Sequence, residues 1–131
     1  MFSSNGILHY SKDPIKLSVE VDPEISSYYF SFIPKYLKVN RPMFSAHISI
    51  IRYIAPPNME FWNKYHNQMI SFQYESYIYN DELYYWLNVY SLELENIREE
   101  LGLTSSGDVT KSPDGRHKFH ITLGNLKNNA P

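Results

Sequence analysis

Two stretches, Ala46-His47-Ile48-Ser49-Ile50 and Phe119-His120-Ile121-Thr122-Leu123, decide how this chain is read. In a strand, residues i and i+2 point to one face and i+1 and i+3 to the other. His47 and Ser49 therefore share one face, with Ile48 and Ile50 on the opposite one. His120 and Thr122, backed by Ile121 and Leu123, repeat the arrangement. The apolar pair anchors each strand in a core. The polar pair presents an imidazole and a hydroxyl side by side.

The flanks of these stretches repeat as well. Ahead of the first lies a strand over 16–21, in which Leu17, Val19 and Val21 alternate with polar neighbours. Asp22-Pro23 then starts a helix over 23–33, with Asp as N-cap and Pro at the first helical position. Ile25, Tyr28, Tyr29 and Phe32 recur on it at helical spacing, and Pro34 follows. Ahead of the second lies an aromatic and β-branched strand over 83–90. A helix over 91–101 follows, capped by Ser91 and stopped by Gly102, with Leu94, Ile97, Arg98 and Leu101 in register. Further strands are expected at 6–10 and 69–79, and a short helix with Asn58 as cap at 58–67. A polar loop covers 104–116, and the last strand runs 118–124. The chain thus reads as one domain, 1–131, with pseudo-repeats at about 16–54 and 83–124. Such a duplication implies pseudo-two-fold symmetry, with the two motif strands face to face across a cleft.

Two imidazoles and two hydroxyls around one point suit phosphodiester cleavage. One neutral His removes a proton from the attacking hydroxyl, and the other, protonated, gives one to the leaving oxygen. The ordinary histidine pKa of about 6.5 suits both tasks. Ser49 and Thr122 would bind the non-bridging oxygens as charge develops. The chemistry asks for no metal and no cofactor. Zinc is disfavoured on spacing, since no H-E-x-x-H occurs and no carboxylate adjoins either motif His.

Composition narrows the partners. Twelve Lys and Arg against 14 Asp and Glu give a net charge of -2, which speaks against charge-driven binding to long nucleic acid. With no cysteine, disulfides and thiol chemistry are excluded. No apolar run approaches the ~18 residues of a membrane span, and the first residues lack the pattern of a signal peptide. A cytoplasmic protein is expected. Aromatic residues reach 16%, with 12 Tyr and seven Phe, enough for both a core and stacking surfaces.

The paired motifs, 73 residues apart, resemble those of the 2H phosphoesterase superfamily. That resemblance implies a duplicated, two-lobed α+β fold, with antiparallel sheets flanked by helices around a central cleft. Several flanks are similar to small phage anti-CBASS enzymes: Ile33-Pro34-Lys35, Val39-Asn40-Arg41-Pro42-Met43, Pro56 through Trp62, Tyr84 through Val89, Ile97 through Leu103, and Pro113-Asp114-Gly115. Those enzymes cleave cyclic di- and trinucleotide signals of bacterial antiviral defence. For this chain the resemblance implies a cyclic oligonucleotide ligand, and the host bacterial cytoplasm as its setting if phage-encoded. It also implies an aromatic base contact near Tyr10.

Strand alternation puts Tyr84 and Trp86 on one face as nucleobase platforms, while Tyr28, Tyr29, Phe32 and Tyr85 are assigned to packing. Lys38 and Arg41 precede the first motif, and Lys111, Arg116 and Lys118 the second; all five are placed to attract ligand phosphates. His9, His66 and His117 lack a hydroxyl partner at i+2 in a clear strand and are read as structural or surface residues. Two alternatives stay open. One is opening of RNA 2′,3′-cyclic phosphates or cleavage of 2′–5′ linkages; the other is a module that sequesters a nucleotide without turnover.

Overall fold

The computed structural model describes residues 1–103 and 119–127. The expectations placed on Lys111, Arg116, His117 and Lys118 lie outside those residues. Seven strands are seen: β1 (Phe2–Lys12), β2 (Ile15–Val21), β3 (His47–Arg52), β4 (Met69–Tyr74), β5 (Tyr79–Asn80), β6 (Tyr84–Tyr90) and β7 (Phe119–Asn125). Among the described residues, helices α1 (Pro23–Phe30) and α2 (Leu92–Glu100) complete the regular structure, with single 3-10 turns at Lys35–Leu37 and Met59–Phe61.

Neighbouring strands run β4-β1-β2-β3-β7-β6, and β4 pairs back onto β6. Every pairing is antiparallel, so six strands close into a barrel. β5 pairs with the other half of the same β6 edge. This overturns the expected two-lobed, helix-flanked α+β fold: the protein is a mostly β barrel with two helices among the described residues. The reason lies in β4, which bonds to β1 on one side and β6 on the other, so that the two halves share one closed sheet. The motif strands are likewise not opposed across a gap. β3 and β7 lie side by side, paired at Ile48 and Ile121.

The element order runs strand–helix–strand twice within this barrel, as β2-α1-β3 and β6-α2-β7. Asp22 caps α1 by accepting from the Glu24 N–H at 2.9 Å. Ser91 caps α2 by accepting from Leu94 N–H at 3.2 Å, and its hydroxyl donates to the Ser71 carbonyl at 2.8 Å. Gly102, at φ 90°, ends α2; the Leu103 N–H returns to the Arg98 carbonyl at 2.9 Å. The helix expected at 58–67 shrinks to one turn, because the Asn58 amide donates to the Glu100 carbonyl instead of capping.

The barrel interior holds Leu8, Leu17, Val19, Ile48, Val89, Phe119 and Ile121, all essentially without exposure. Tyr29 and Ile33 pack on Leu87 and Leu123 in a second cluster. Tyr28 and Phe32 are corrected: both are exposed and touch each other edge to face. α1 has only eight residues and contacts the barrel through one stripe, which Tyr29 fills.

β3 and β7 share one irregularity. Ser18 pairs with Ser49 and Leu17 with Ile51, so Ile50 has no partner on β2. Trp86 pairs with Thr122 and Tyr85 with Gly124, so Leu123 has no partner on β6. Ile50 and Leu123 hold the same position in the two motifs. Each is a β-bulge, and an extra residue in a strand reverses the alternation beyond it. Ile50 and Ile51 are both buried, and Arg52 emerges on the face of His47 and Ser49. Leu123 and Gly124 are both buried, and Asn125 emerges on the face of His120 and Thr122. Arg98, buried on α2, donates to the carbonyl of bulged Ile50 at 3.1 Å.

Candidate functional site

The outward face of β1, β2, β3 and β7 floors an open cleft of about 840 Å³. That size lies within the ~300–1,000 Å³ usual for small-molecule sites. His47, Ser49, His120 and Thr122 all line it, so the structure brings the four motif residues together. The Ile48–Ile121 pair fixes their order. One step either side of it, antiparallel register sets His47 across from Thr122 and Ser49 across from His120. The two imidazoles are thus diagonal neighbours, a relation that ordinarily separates residues by ~7–8 Å. A half-turn through Ile48 and Ile121 exchanges one motif with the other.

His47 has a defined tautomer. Its Nδ1 lies 2.8 Å from the Ser45 carbonyl oxygen, which only accepts, so Nδ1 carries the proton. Nε2 is then the atom that gains or gives up a proton. Asn88 lies directly across β6–β7 from His120, and Glu20 directly across β2–β3 from His47. Glu20 is bonded to His9, Nε2 to Oε2, at 2.9 Å, and both line the cleft. His9, read from sequence as a structural or surface residue, is at the surface and forms part of the cleft wall. His66 is structural as expected, its Nδ1 accepting the Tyr10 backbone N–H at 3.1 Å.

Charge in the cleft departs from that of the chain. Lys16, Arg41, Arg52 and Lys127 line it, with Glu20 as the one carboxylate among the described lining residues. An acidic protein thereby presents a cationic depression, the arrangement that concentrates an anion locally. Arg41 lies over the Phe30 ring at 4.4 Å, and Lys127 over the Tyr84 ring at 5.1 Å. The Tyr53 phenol is held below its ordinary pKa, first by its hydrogen bond from Arg52 and then by the charges of Arg52 and Lys16.

The other ligand candidates divide. Tyr84 and Arg41 line the cleft; Lys38, Tyr10 and Trp86 do not. Lys38 caps the 35–37 turn in a left-handed conformation, φ 55°. Tyr10 is 6% exposed and meets Trp62 edge to face at 5.0 Å; burial pushes its phenol up to about 12. Trp86 lies on the motif face as alternation requires, since it pairs with Thr122. Yet it is 0% exposed, stacked on Tyr79 of β5 at 6.2 Å, with its indole N–H donating to Asn88 Oδ1 at 2.9 Å. Tyr10 and Trp86 are core residues, not platforms. Exposed aromatic surface in the cleft comes instead from Phe44 (70%) and Tyr53 (59%). Sequence reading also missed Lys16, Ser18, Arg52, Asn125 and Lys127. Lys16 and Ser18 had a signal, alternating with Leu17 and Val19; Arg52 and Asn125 were hidden by the bulges.

The cleft rim is fastened across the two repeats. The backbones of Asn40 and Asn125 exchange two hydrogen bonds, at 2.8 and 2.9 Å, and Asn40 Nδ2 donates to the Lys127 carbonyl at 2.7 Å. Gly124 permits this approach: a Cβ there would meet Val39 Cγ1 at 2.5 Å and the Asn40 carbonyl at 2.7 Å. Gly124→Ala is expected to push the rim outward and cost ~1–3 kcal/mol of stability. Urea unfolding of the variant checks this; a midpoint equal to wild type contradicts it.

Among the described residues, no group of three or more His, Asp or Glu is placed to hold a metal, and no helix is long and apolar enough to cross a membrane. No family model, curated protein or solved structure matches the chain.

Proposed function

We propose that this protein is a metal-independent phosphodiesterase of the 2H type, opening cyclic di- or trinucleotides at a 3′–5′ bond to counter CBASS defence. The observation that carries the reading is the placement of His47, Ser49, His120 and Thr122 as two crossed pairs in one cationic cleft. A phosphate over the Ile48–Ile121 pair meets an imidazole on either side and a hydroxyl on either side. One His accepts the proton of the ribose 2′-hydroxyl as O2′ attacks phosphorus. The bond from phosphorus to O5′ breaks, and the other His protonates O5′. The ring opens with a 2′,3′-cyclic phosphate at one end and a 5′-hydroxyl at the other. Ser49 and Thr122 donate to the non-bridging oxygens, and Lys16, Arg41, Arg52 and Lys127 offset the ligand charge. Phe44 and Tyr53 provide the exposed rings for bases, with half-buried Tyr84 beside them, in place of Trp86 and Tyr10.

The test is incubation of purified protein with 3′,3′-cGAMP in EDTA, followed by product analysis. A linear product supports the proposal. Ligand recovered whole overturns it, and cleavage confined to RNA 2′,3′-cyclic ends moves the activity to that substrate.

A further inference from the structure

Lys16 and Arg52 are directly opposed across β2 and β3. Like charges in that position repel, and among the described residues neither is bridged by a carboxylate. Both are held by aromatic faces instead. The Lys16 ammonium lies 5.7 Å from the Phe44 ring centre and 5.9 Å from that of Tyr53. The Arg52 guanidinium lies 5.1 Å from the same Tyr53 ring, and its Nη2 donates to the Tyr53 hydroxyl at 3.2 Å. Tyr53 itself adopts a left-handed backbone, φ 67°, with its N–H bonded to the Ile15 carbonyl. That conformation is unfavourable for a bulky residue and marks a functional position more often than chance. The bulge at Ile50 is what turns Arg52 toward the cleft at all.

We propose that Lys16 and Arg52, steadied by Tyr53 and Phe44, form a second phosphate subsite, which selects ligands carrying a phosphodiester beside the scissile one. Cation–π contact stabilises a positive charge without using its N–H donors. Apart from the one Arg52 donor given to the Tyr53 hydroxyl, those donors then serve an anion, and a guanidinium serves a phosphate through two of them. Arg52 lies three residues beyond Ser49, on the order of 10 Å of strand; this exceeds the spacing of phosphates on neighbouring nucleotides, and the side chains of Lys16 and Arg52 are long enough to make up the difference. The repeat-related end of the cleft has Tyr84 and Asn125 at the matching register positions, so this cationic pair belongs to one end alone.

The proposal rests on the phosphodiesterase reading for its ligand, and binding separates the two. In a His120→Ala background, calorimetry at fixed ionic strength compares three ligands: 3′,3′-cGAMP, linear GpApG with two phosphates, and GpA with one. The parent is expected to bind a two-phosphate ligand more tightly than GpA. Lys16→Ala with Arg52→Gln is expected to weaken that ligand ~10–100-fold, the value of charge-assisted bonds, and GpA less than ~3-fold. Preference shown by the cyclic ligand, the linear one or both identifies where the second phosphate comes from. Equal weakening of all three, no weakening, or no binding by the parent overturns the subsite. If discrimination holds while wild type cleaves nothing, the subsite stands and the phosphodiesterase reading falls.

Discussion

Alanine at His47 or at His120 is expected to lower kcat on a cyclic dinucleotide by ~10²–10⁴-fold, the usual value of a positioned acid or base. On the proposed mechanism each imidazole handles a proton the other does not reach, because the two stand diagonally across the Ile48–Ile121 pair. Losing either would then stop the sequence of bond making and breaking, so the double variant should be little slower than each single one. The wild-type profile of kcat/KM against pH should be bell-shaped, and each single variant should lose one limb. Both imidazoles are partly exposed and neither fills the core, so the variants should melt with wild type. A His47→Ala or His120→Ala protein that keeps a tenth of wild-type kcat would rule out paired acid–base catalysis.

The second large effect concerns stability. Trp86→Ala is expected to destabilise the barrel by ~3–5 kcal/mol, as deletion of a large buried aromatic does. Trp86 is 0% exposed, rests on Tyr79 and satisfies Asn88 through its indole N–H. The alanine variant opens a void and leaves the Asn88 carboxamide without that donor. Trp86→Phe should recover most of the packing and lose the hydrogen bond alone. Urea unfolding reads the stability, and calorimetry at a temperature where the variant is folded reads ligand affinity. Unchanged stability with lost affinity would restore Trp86 to the role of a base platform.

His47, His120 and Trp86 show where the sequence was legible. Period-two alternation set His47, Ser49, His120 and Thr122 on one face, and also set Trp86 there correctly. Alternation reports the face of a sheet, not what lies over it. Tyr79 of β5 closes over Trp86, and no local pattern in 84–90 encodes that. Caps at Asp22 and Ser91 and the stop at Gly102 were visible because they are local chemistry. Barrel closure was not, because it depends on β4 pairing with both β1 and β6 over long separations. Arg52 and Asn125 were lost for a third reason. A strict two-residue period turns both inward, and only the adjacent apolar pairs Ile50-Ile51 and Leu123-Gly124 betray the change of phase.

The half-turn through Ile48 and Ile121 sets this chain apart from a dimer of identical subunits. A C2 dimer must present the same side chain at both ends of a site on its axis. A single polypeptide with such an axis has no such obligation, and this one has diverged. Ser49 stands against Thr122, Arg52 against Asn125, and Lys16 against Tyr84. Even the neighbours of the two imidazoles differ, with Glu20 across from His47 and Asn88 across from His120. On the proposed mechanism the acid and the base are distinct residues, and unequal neighbours give the two imidazoles different settings in advance; a symmetric pair can still share one proton, but only between equivalent members.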